Sequence, residues 1–483
     1  MATTVQEEDD ALHDTAPLLA PDQLEAQKPL PTCAQRLWTT LYGDIAEDDR
    51  WRAAWLSGTL FFIIGGYWLL RSLKDTVLAT LVGLEYQPMA KMLSLAVVLG
   101  MVFLYNRLVD LVERHTLFYI VGAFYGASFG VIAFALALPT VGLTNEIPSP
   151  ERYLGWLSYF VIESYGSITV SLFWSFVNFT FDYTRAKSTY GLIIAGSILG
   201  PCLVTNVAAL GGVPTLYGIG ALTPVCMALM VAGYVRRYPP APASTTTSPT
   251  KAGLFEGIVL LVRQPYIAGI FAIASLFEIV ITILDYEMKV LGKQAYPSPN
   301  DFATFTGKFG MAVNTISFIA SLLGTSWVLR TCGLRPTLMG FPLLLLAAVA
   351  VVYVFPTLWV VFGAMIFLKA TTYAINNPAK EMLYSVTNSA VKFKAKSWID
   401  VFGGRMAKAT GSSITNGLKS SPVLLMQYGS LVSMAIALLL LGVASWMGTQ
   451  FNVLQAQGRL VGDQVPIAKQ DDDTLESDAI SDH

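Results

Sequence analysis

The chain has 483 residues, of which 54% are hydrophobic and only 13% charged, with a formal net charge of -2. Soluble domains carry about a quarter charged residues, and a soluble chain of this length would need roughly two or three domains, each with a polar surface that these residues cannot supply. Composition therefore excludes an ordinary soluble protein. The 26 Phe, 21 Tyr and 10 Trp suit lipid faces and interfacial belts instead.

Catalytic chemistry has little to stand on. Cys33, Cys202, Cys226 and Cys332 are far apart and lack CxxC spacing, so they read as packing residues or free thiols and not as a disulfide or zinc framework. His13, His115 and His483 lie in or near polar segments, and no HExxH, GxSxG or Walker A sequence occurs. The expectation is a protein that is no enzyme, with no catalytic residues, no metal, no cofactor and no nucleic-acid partner.

In chain order, residues 1–50 are polar and acidic and read as a disordered tail. They resemble neither a transit peptide nor a secretory signal. Within them, Asp14-Thr15-Ala16-Pro17-Leu18-Leu19 has the form of an acidic dileucine sorting signal, which leaves a second reading open. A bilayer span needs about 20 mostly apolar residues. Twelve candidates follow, near 53–70, 88–105, 116–138, 154–181, 190–211, 215–235, 266–284, 307–329, 337–355, 357–376, 399–417 and 422–447. The first is expected to continue as helix through Asp75. A further acidic tail closes the chain over 448–483.

The basic residues test this arrangement independently. With both termini cytoplasmic, 20 of the 31 Lys and Arg fall on the cytoplasmic side. Six (Arg71, Lys74, Arg152, Lys289, Lys293, Lys419) fall opposite, and five (Lys91, Lys308, Lys369, Arg405, Lys408) fall within helices. That bias is what the positive-inside rule requires. The longest internal loop, 236–265, carries PPAPASTTTSPTKAG and separates a first six-helix half (51–235) from a second (266–447). This 6+6 arrangement, all α-helical, is similar to that of major facilitator carriers. The echo of Ala186-Lys187-Ser188 in Ala395-Lys396-Ser397 fits a duplication.

A charge at a helix centre costs about 2.5–3.5 kcal/mol on insertion scales, so ionisable residues within spans usually face a cavity or pair with one another. Arg71 and Lys74, three apart, share a helical face, with Asp75 beside them. Lys91 opens the second span and Glu163 lies in the fourth. Glu278 and Asp285 stack on one face of the seventh with Thr282 between them, Glu287 follows, and Asp285 with Lys289 makes an i,i+4 acid-to-base pair. Lys308 and Lys369 precede the pair Lys380-Glu381. In the eleventh span Asp400, Gly404 and Lys408 share a face, with Arg405 three residues before Lys408. Two readings stand for such residues. Near span ends (Arg71, Lys91, Glu287, Lys308) they snorkel to the interface or lock helices together. Deeper in (Glu163, Asp400, Arg405, Lys408) they line a water-filled path, where fixed positive charge would attract a polyanion. Gly403, Gly404 and Gly411 read as sites of close helix packing.

Five stretches in order resemble the plastid and bacterial ATP/ADP translocase family. They are LRSLKDT at 70–76, ESYGSITVSLFWSFVN at 163–178, AYPSPNDFATFTGKF at 295–309, NPAKEMLY at 377–384 and KAKSWIDVFGGRMAKATGSS at 394–413. The resemblance implies a carrier of ATP and ADP, in exchange or with other nucleotides and protons as variants, and it implies roles for Lys74, Glu163, Asp285 and Lys380. The chain departs from the family at LDYEMK, where Asp285 stands in place of Glu, and at Tyr165, in place of Trp. Candidate substrate contacts are these four residues with Arg71, Asn178, Asp400, Arg405 and Lys408. The expected partners are a nucleotide and the lipid bilayer, and the expected working unit is a monomer. The resemblance implies a plastid envelope, whereas the acidic N-terminus points away from ordinary plastid import and leaves another internal membrane open. Proton-coupled transport of another organic anion, with Glu163 or Asp285 carrying the proton, and a transport-inactive receptor are the competing expectations.

Overall fold

The computed structural model describes residues 47–145, 147–180, 199–239, 259, 261–323, 331–388 and 399–462. Residues 1–46 and 463–483, the 236–265 loop beyond Pro239 apart from a few residues near its end, and the Ala186-Lys187-Ser188 and Ala395-Lys396-Ser397 echo lie outside the described residues, whereas 47–50 and 448–457, expected in the tails, are helical because the flanking helices continue through them. The described residues are mostly helical, with one isolated β-bridge between Thr387 and Val461. In chain order the helices are α1 (Glu47–Leu81), α2 (Gln87–Leu111), α3 (Arg114–Ala137), α4 (Tyr153–Thr180), α5 (described over 199–205), α6 (Gly212–Arg237), α7 (Pro265–Ala295), α8 (Pro299–Leu323) and α9 (Leu334–Val354). The tenth span is broken. Its first part, α10 (Leu358–Thr371), passes through a π-helical turn at Thr372–Asn376 into α11 (Asn377–Leu383). Another π-helical turn, Ile399–Gly403, leads into α12 (Gly404–Leu418), and α13 (Pro422–Gln457) ends the described chain.

Among the described residues each of the twelve expected spans overlaps one of these helical runs, the fifth only over 199–205, and eight helices are long and apolar enough to cross a membrane. The helices overrun the expected boundaries, α1 to Leu81 and α7 to Ala295. Hydropathy underestimates them because their last turns carry Lys74, Asp75, Asp285 and Lys289, charged residues that would lie in lipid were they not buried in protein. Placing Arg71, Lys74 and Lys289 on an aqueous face was therefore wrong, and all three sit inside helices facing the protein interior.

Two apolar cores form, one for each half. Leu70, Leu78, Phe118, Phe129, Tyr165 and Leu216 belong to the first, and Ile270, Leu284, Phe341, Leu345, Met365 and Met447 to the second. Large apolar side chains such as Phe103, Phe134, Leu229, Val351 and Leu439 point outward, as a lipid-facing surface demands. Trp51, Tyr153 and Trp359 are exposed at helix ends, where aromatic belts sit.

Short turns join most successive helices, so their directions alternate. At one face, the turn face, Lys419 lies 5.3 Å from the Tyr86 ring and the Ser149 amide donates to the Leu81 carbonyl. At the other, the terminal face, Arg52 covers the Tyr238 ring at 4.7 Å and the Tyr266 hydroxyl donates to the Leu383 carbonyl. Glycine sets two close approaches. A Cβ at Gly200 would lie 2.5 Å from the Gly65 carbonyl oxygen, which lets α5 press on α1. One at Gly411 would lie 2.9 Å from the Ile279 carbonyl oxygen, which seats α12 on α7. Gly403 packs against Phe271 as expected. Gly404 does not pack: it faces open space and lines cavities instead.

Candidate functional site

Between the halves lies a cavity of about 920 Å³, counting the space at its mouth. The first half contributes Arg71, Lys74 and Asp75 from α1, Lys91 from α2, and Tyr159 and Glu163 from α4. The second contributes Asp285 and Lys289 from α7, Thr306 and Phe309 from α8, Lys369 from α10, and Arg405 and Lys408 from α12. Charges that would be forbidden in lipid thus converge on one interior space.

The acids are held by bases, and most of the pairs cross from half to half. Glu163 accepts from Lys74 within its own half, and its other oxygen lies 2.8 Å from Arg405 Nη1 of the second half. Arg405 also donates to the Glu163 carbonyl at 3.1 Å and to the Ser167 hydroxyl. Lys74 lies 4.3 Å from the Tyr159 ring centre, so π-density completes its shell.

A second network sits closer to the turn face. Lys289 bridges Asp75 at 2.8 Å and Asp285 at 2.6 Å. Asp285 also takes Lys91 at 2.9 Å, and Gln87 donates to Asp75 at 3.0 Å. The Thr306 hydroxyl donates to the Ser72 carbonyl beside it at 2.7 Å. Together these bonds tie the halves shut at the turn face.

Toward the terminal face the ties loosen. Lys408 and Glu278 stand 3.4 Å apart with side chains 37% and 27% exposed, whereas Asp75 and Lys289 are 6% and 9% exposed. Glu278 lies about 10 Å below Asp285 along α7, seven residues at 1.5 Å each. Water therefore reaches the interior from the terminal face and fades toward the turn face. A second cavity of about 830 Å³ adjoins the first there, sharing Ile281, Lys369 and Lys408 with it and adding Phe277, Glu278, Tyr373, Asn376, Asn377 and Lys380. Both π-helical turns border this second cavity, in keeping with the habit of such turns to occur at functional sites.

Of the residues singled out from sequence, Arg71, Lys74, Glu163, Asp285, Arg405 and Lys408 meet around the first cavity. Lys380 does not join them and lines the second. Only the backbones of Asn178 and Asp400 are described, and their side chains lie outside the described residues. Lys91 is no snorkelling residue, for it turns inward to Asp285. Lys308 is exposed, as a snorkelling lysine should be. Glu287 is fully buried without a hydrogen-bond partner and packs against Gly429 of α13, outside both cavities. Sequence reasoning passed over Lys369 and Tyr159 as site residues, and treated Asp75 and Lys289 only as local neighbours. The signal for Lys369 was present: one lysine in the otherwise apolar run LWVVFGAMIFLKAT.

Comparison with known proteins agrees with this geometry. The family model described as TLC ATP/ADP transporter matches residues 52–145 and 225–457. "ADP,ATP carrier protein 2, chloroplastic" of Arabidopsis thaliana is 26% identical, covering 86% of this chain and 78% of its own length. "ADP,ATP carrier protein 1" of Chlamydia trachomatis serovar D is 28% identical over 74% of this chain and 80% of its own. Among solved structures, a bacterial homologue of the iron transporter ferroportin in an inward-facing state superposes with a TM-score of 0.61 at 13% identity, covering 83% of this chain and 99% of that one. The nucleoside transporter NupG superposes with a TM-score of 0.54 at 13% identity, covering 84% and 99%. These two likenesses establish a shared fold of the major facilitator kind. Helices enough to cross a membrane many times, a charged interior between two bundles and a family match over most of the chain lead to one conclusion: the chain belongs to the TLC ATP/ADP transporter family, and it is a multi-pass membrane transporter of nucleotides and not an enzyme.

Proposed function

We propose that this protein exchanges ATP for ADP by alternating access, with its terminal face in the cytoplasm and a single chain as the working unit. The observation that carries the proposal is the charge of the first cavity. Seven bases (Arg71, Lys74, Lys91, Lys289, Lys369, Arg405, Lys408) face three acids (Asp75, Glu163, Asp285). Such an excess draws a polyanion from solution and holds it against desolvation. The Lys and Arg bias along the chain supports the orientation, and the curated relatives named as ADP,ATP carriers support the adenine nucleotides. ATP is cargo here, since the sequence carries no hydrolytic motif.

In the conformation described, the turn face is latched by Asp75, Lys289, Asp285 and Lys91, and the cavity opens toward the terminal face. Phosphates arriving from that side compete with Glu163 for Lys74 and Arg405. Because Arg405 and Glu163 belong to different halves, displacing the carboxylate loosens one tie between them while the phosphates bridge both. Exchange requires the occluded, loaded state to bind the nucleotide more tightly than either open state, and a polyanion spanning both halves meets that condition. Lys380, at the second cavity, extends the positive path toward the terminal face.

Proteoliposomes loaded with ADP and offered labelled ATP test this reading. Wild type should take up ATP only against internal nucleotide, and Lys74→Ala and Lys380→Ala should each lower uptake at least about tenfold. Uptake independent of internal nucleotide would overturn exchange, and unchanged uptake in both variants would remove these lysines from the site.

A further inference from the structure

The second cavity differs chemically from the first. Its walls carry two adjacent carboxamides, Asn376 and Asn377, and the aromatic side chains of Phe277 and Tyr373. Asn376 closes the π-helical turn, is only 5% exposed and lines this cavity. A carboxamide carries both donor and acceptor groups, and the sequence places this one at a turn that disrupts the regular helix beside the cavity. Tyr373 is 40% exposed and lines the cavity. Phe277 is held edge-on by Phe341 with ring centres 5.0 Å apart. Beside Glu278, Lys380 and Lys408, which also line this cavity, the carboxamides and rings are groups that phosphate does not call for. A flat heterocycle does, since its edge takes paired donor and acceptor groups from a carboxamide and its face stacks on an aromatic ring.

We propose that the second cavity is the nucleobase subsite. Asn376 and Asn377 bind the edge of the base and Tyr373 supports its face. Lys369, the one described base common to both cavities that lacks a carboxylate partner within salt-bridge distance, marks the junction where the nucleoside ends and the phosphates begin. The cargo thus lies with its phosphates toward the turn face and its base toward the terminal face. The inference rests on the transport reading above and adds to it a fixed polarity of the bound nucleotide and a determinant of base selection.

Counter-exchange with the full chain in proteoliposomes separates the two. ATP, GTP, CTP and UTP, equal in phosphate charge, are compared in wild type and in Asn376→Ala, Asn377→Ala, Tyr373→Leu and Lys369→Gln. Asn376→Ala should raise the KM for the preferred base about tenfold and flatten the ranking among bases, with the ratio of ATP to ADP affinities unchanged. Lys369→Gln should weaken all four triphosphates alike and preserve the ranking. Equilibrium binding to purified, correctly folded variants reads the same ranking where transport is lost, and Tyr373→Leu provides a second variant that leaves the carboxamides intact. An unchanged base ranking in Asn376→Ala, Asn377→Ala and Tyr373→Leu, or a wild type indifferent to the base, overturns the subsite while leaving nucleotide transport standing. A wild type that exchanges no nucleotide overturns the transport reading itself.

Discussion

The two ends of the central cavity are built from similar residues and do different work. At the turn-face end, Asp75, Lys289, Asp285 and Lys91 form a continuous series within 2.6–2.9 Å, almost without water. At the terminal-face end, Glu278 and Lys408 stand 3.4 Å apart in contact with solvent. Burial makes the first series strong only as long as every member keeps its partner, because a stripped ion in a dry interior is not rehydrated. The exposed pair is cheap to break because water stands ready to replace either partner. A carrier needs this asymmetry: one end held by interactions that yield only together, the other free to admit cargo.

That contrast can be broken or sharpened by substitution. The largest effect is expected for Lys289→Met, which leaves Asp75 without a salt-bridge partner and Asp285 with Lys91 alone among the described residues. Loss of one partner from a buried ion pair costs about 3–5 kcal/mol, so exchange should fall by at least about two orders of magnitude and the thermal midpoint should drop. Near-normal exchange at equal protein levels would show that the turn-face series does not hold the halves together. Glu163→Gln should act in between and in two directions. Lys74 and Arg405, released from the carboxylate, should bind nucleotide about fivefold to tenfold more tightly, by roughly 1 kcal/mol, while turnover slows because the cargo is no longer displaced. Equal changes of binding and turnover in the same direction would contradict that role. The smallest effect belongs to Glu278→Gln: below about 1 kcal/mol, hence less than about fivefold in exchange, and vanishing as salt is raised. A loss as large as that of Lys289→Met would abolish the distinction between the two ends.

How much of this could be read from the chain depends on range. Spans were legible because lipid imposes a length and a composition that each helix must satisfy alone, and the Lys and Arg bias ordered them. The pair Asp285–Lys289 was legible because one helical turn separates its members. Its continuation to Asp75 and to Lys91, which is 194 residues from Asp285, was not, since no local spacing records which helices from different halves become neighbours. The same holds for the partner shared by Lys74 and Arg405. Lys380 was grouped with Lys74 on the strength of resemblance, and folding sends it to a different chamber. Asn376 was invisible for another reason: a carboxamide in an apolar run has no distinctive pattern until a π-helical turn directs it into a void.

The latch at the turn face holds two acids and two bases, and so its formal charge is zero. Parting it therefore moves no net charge through the electric field across the bilayer, where each elementary charge would gain or lose about 2.3 kcal/mol per 100 mV. Voltage is left to act on the positive interior and on what it carries. An incoming and an outgoing nucleotide of unequal charge would then feel the membrane potential through the cargo itself, while the gate stays electrically silent.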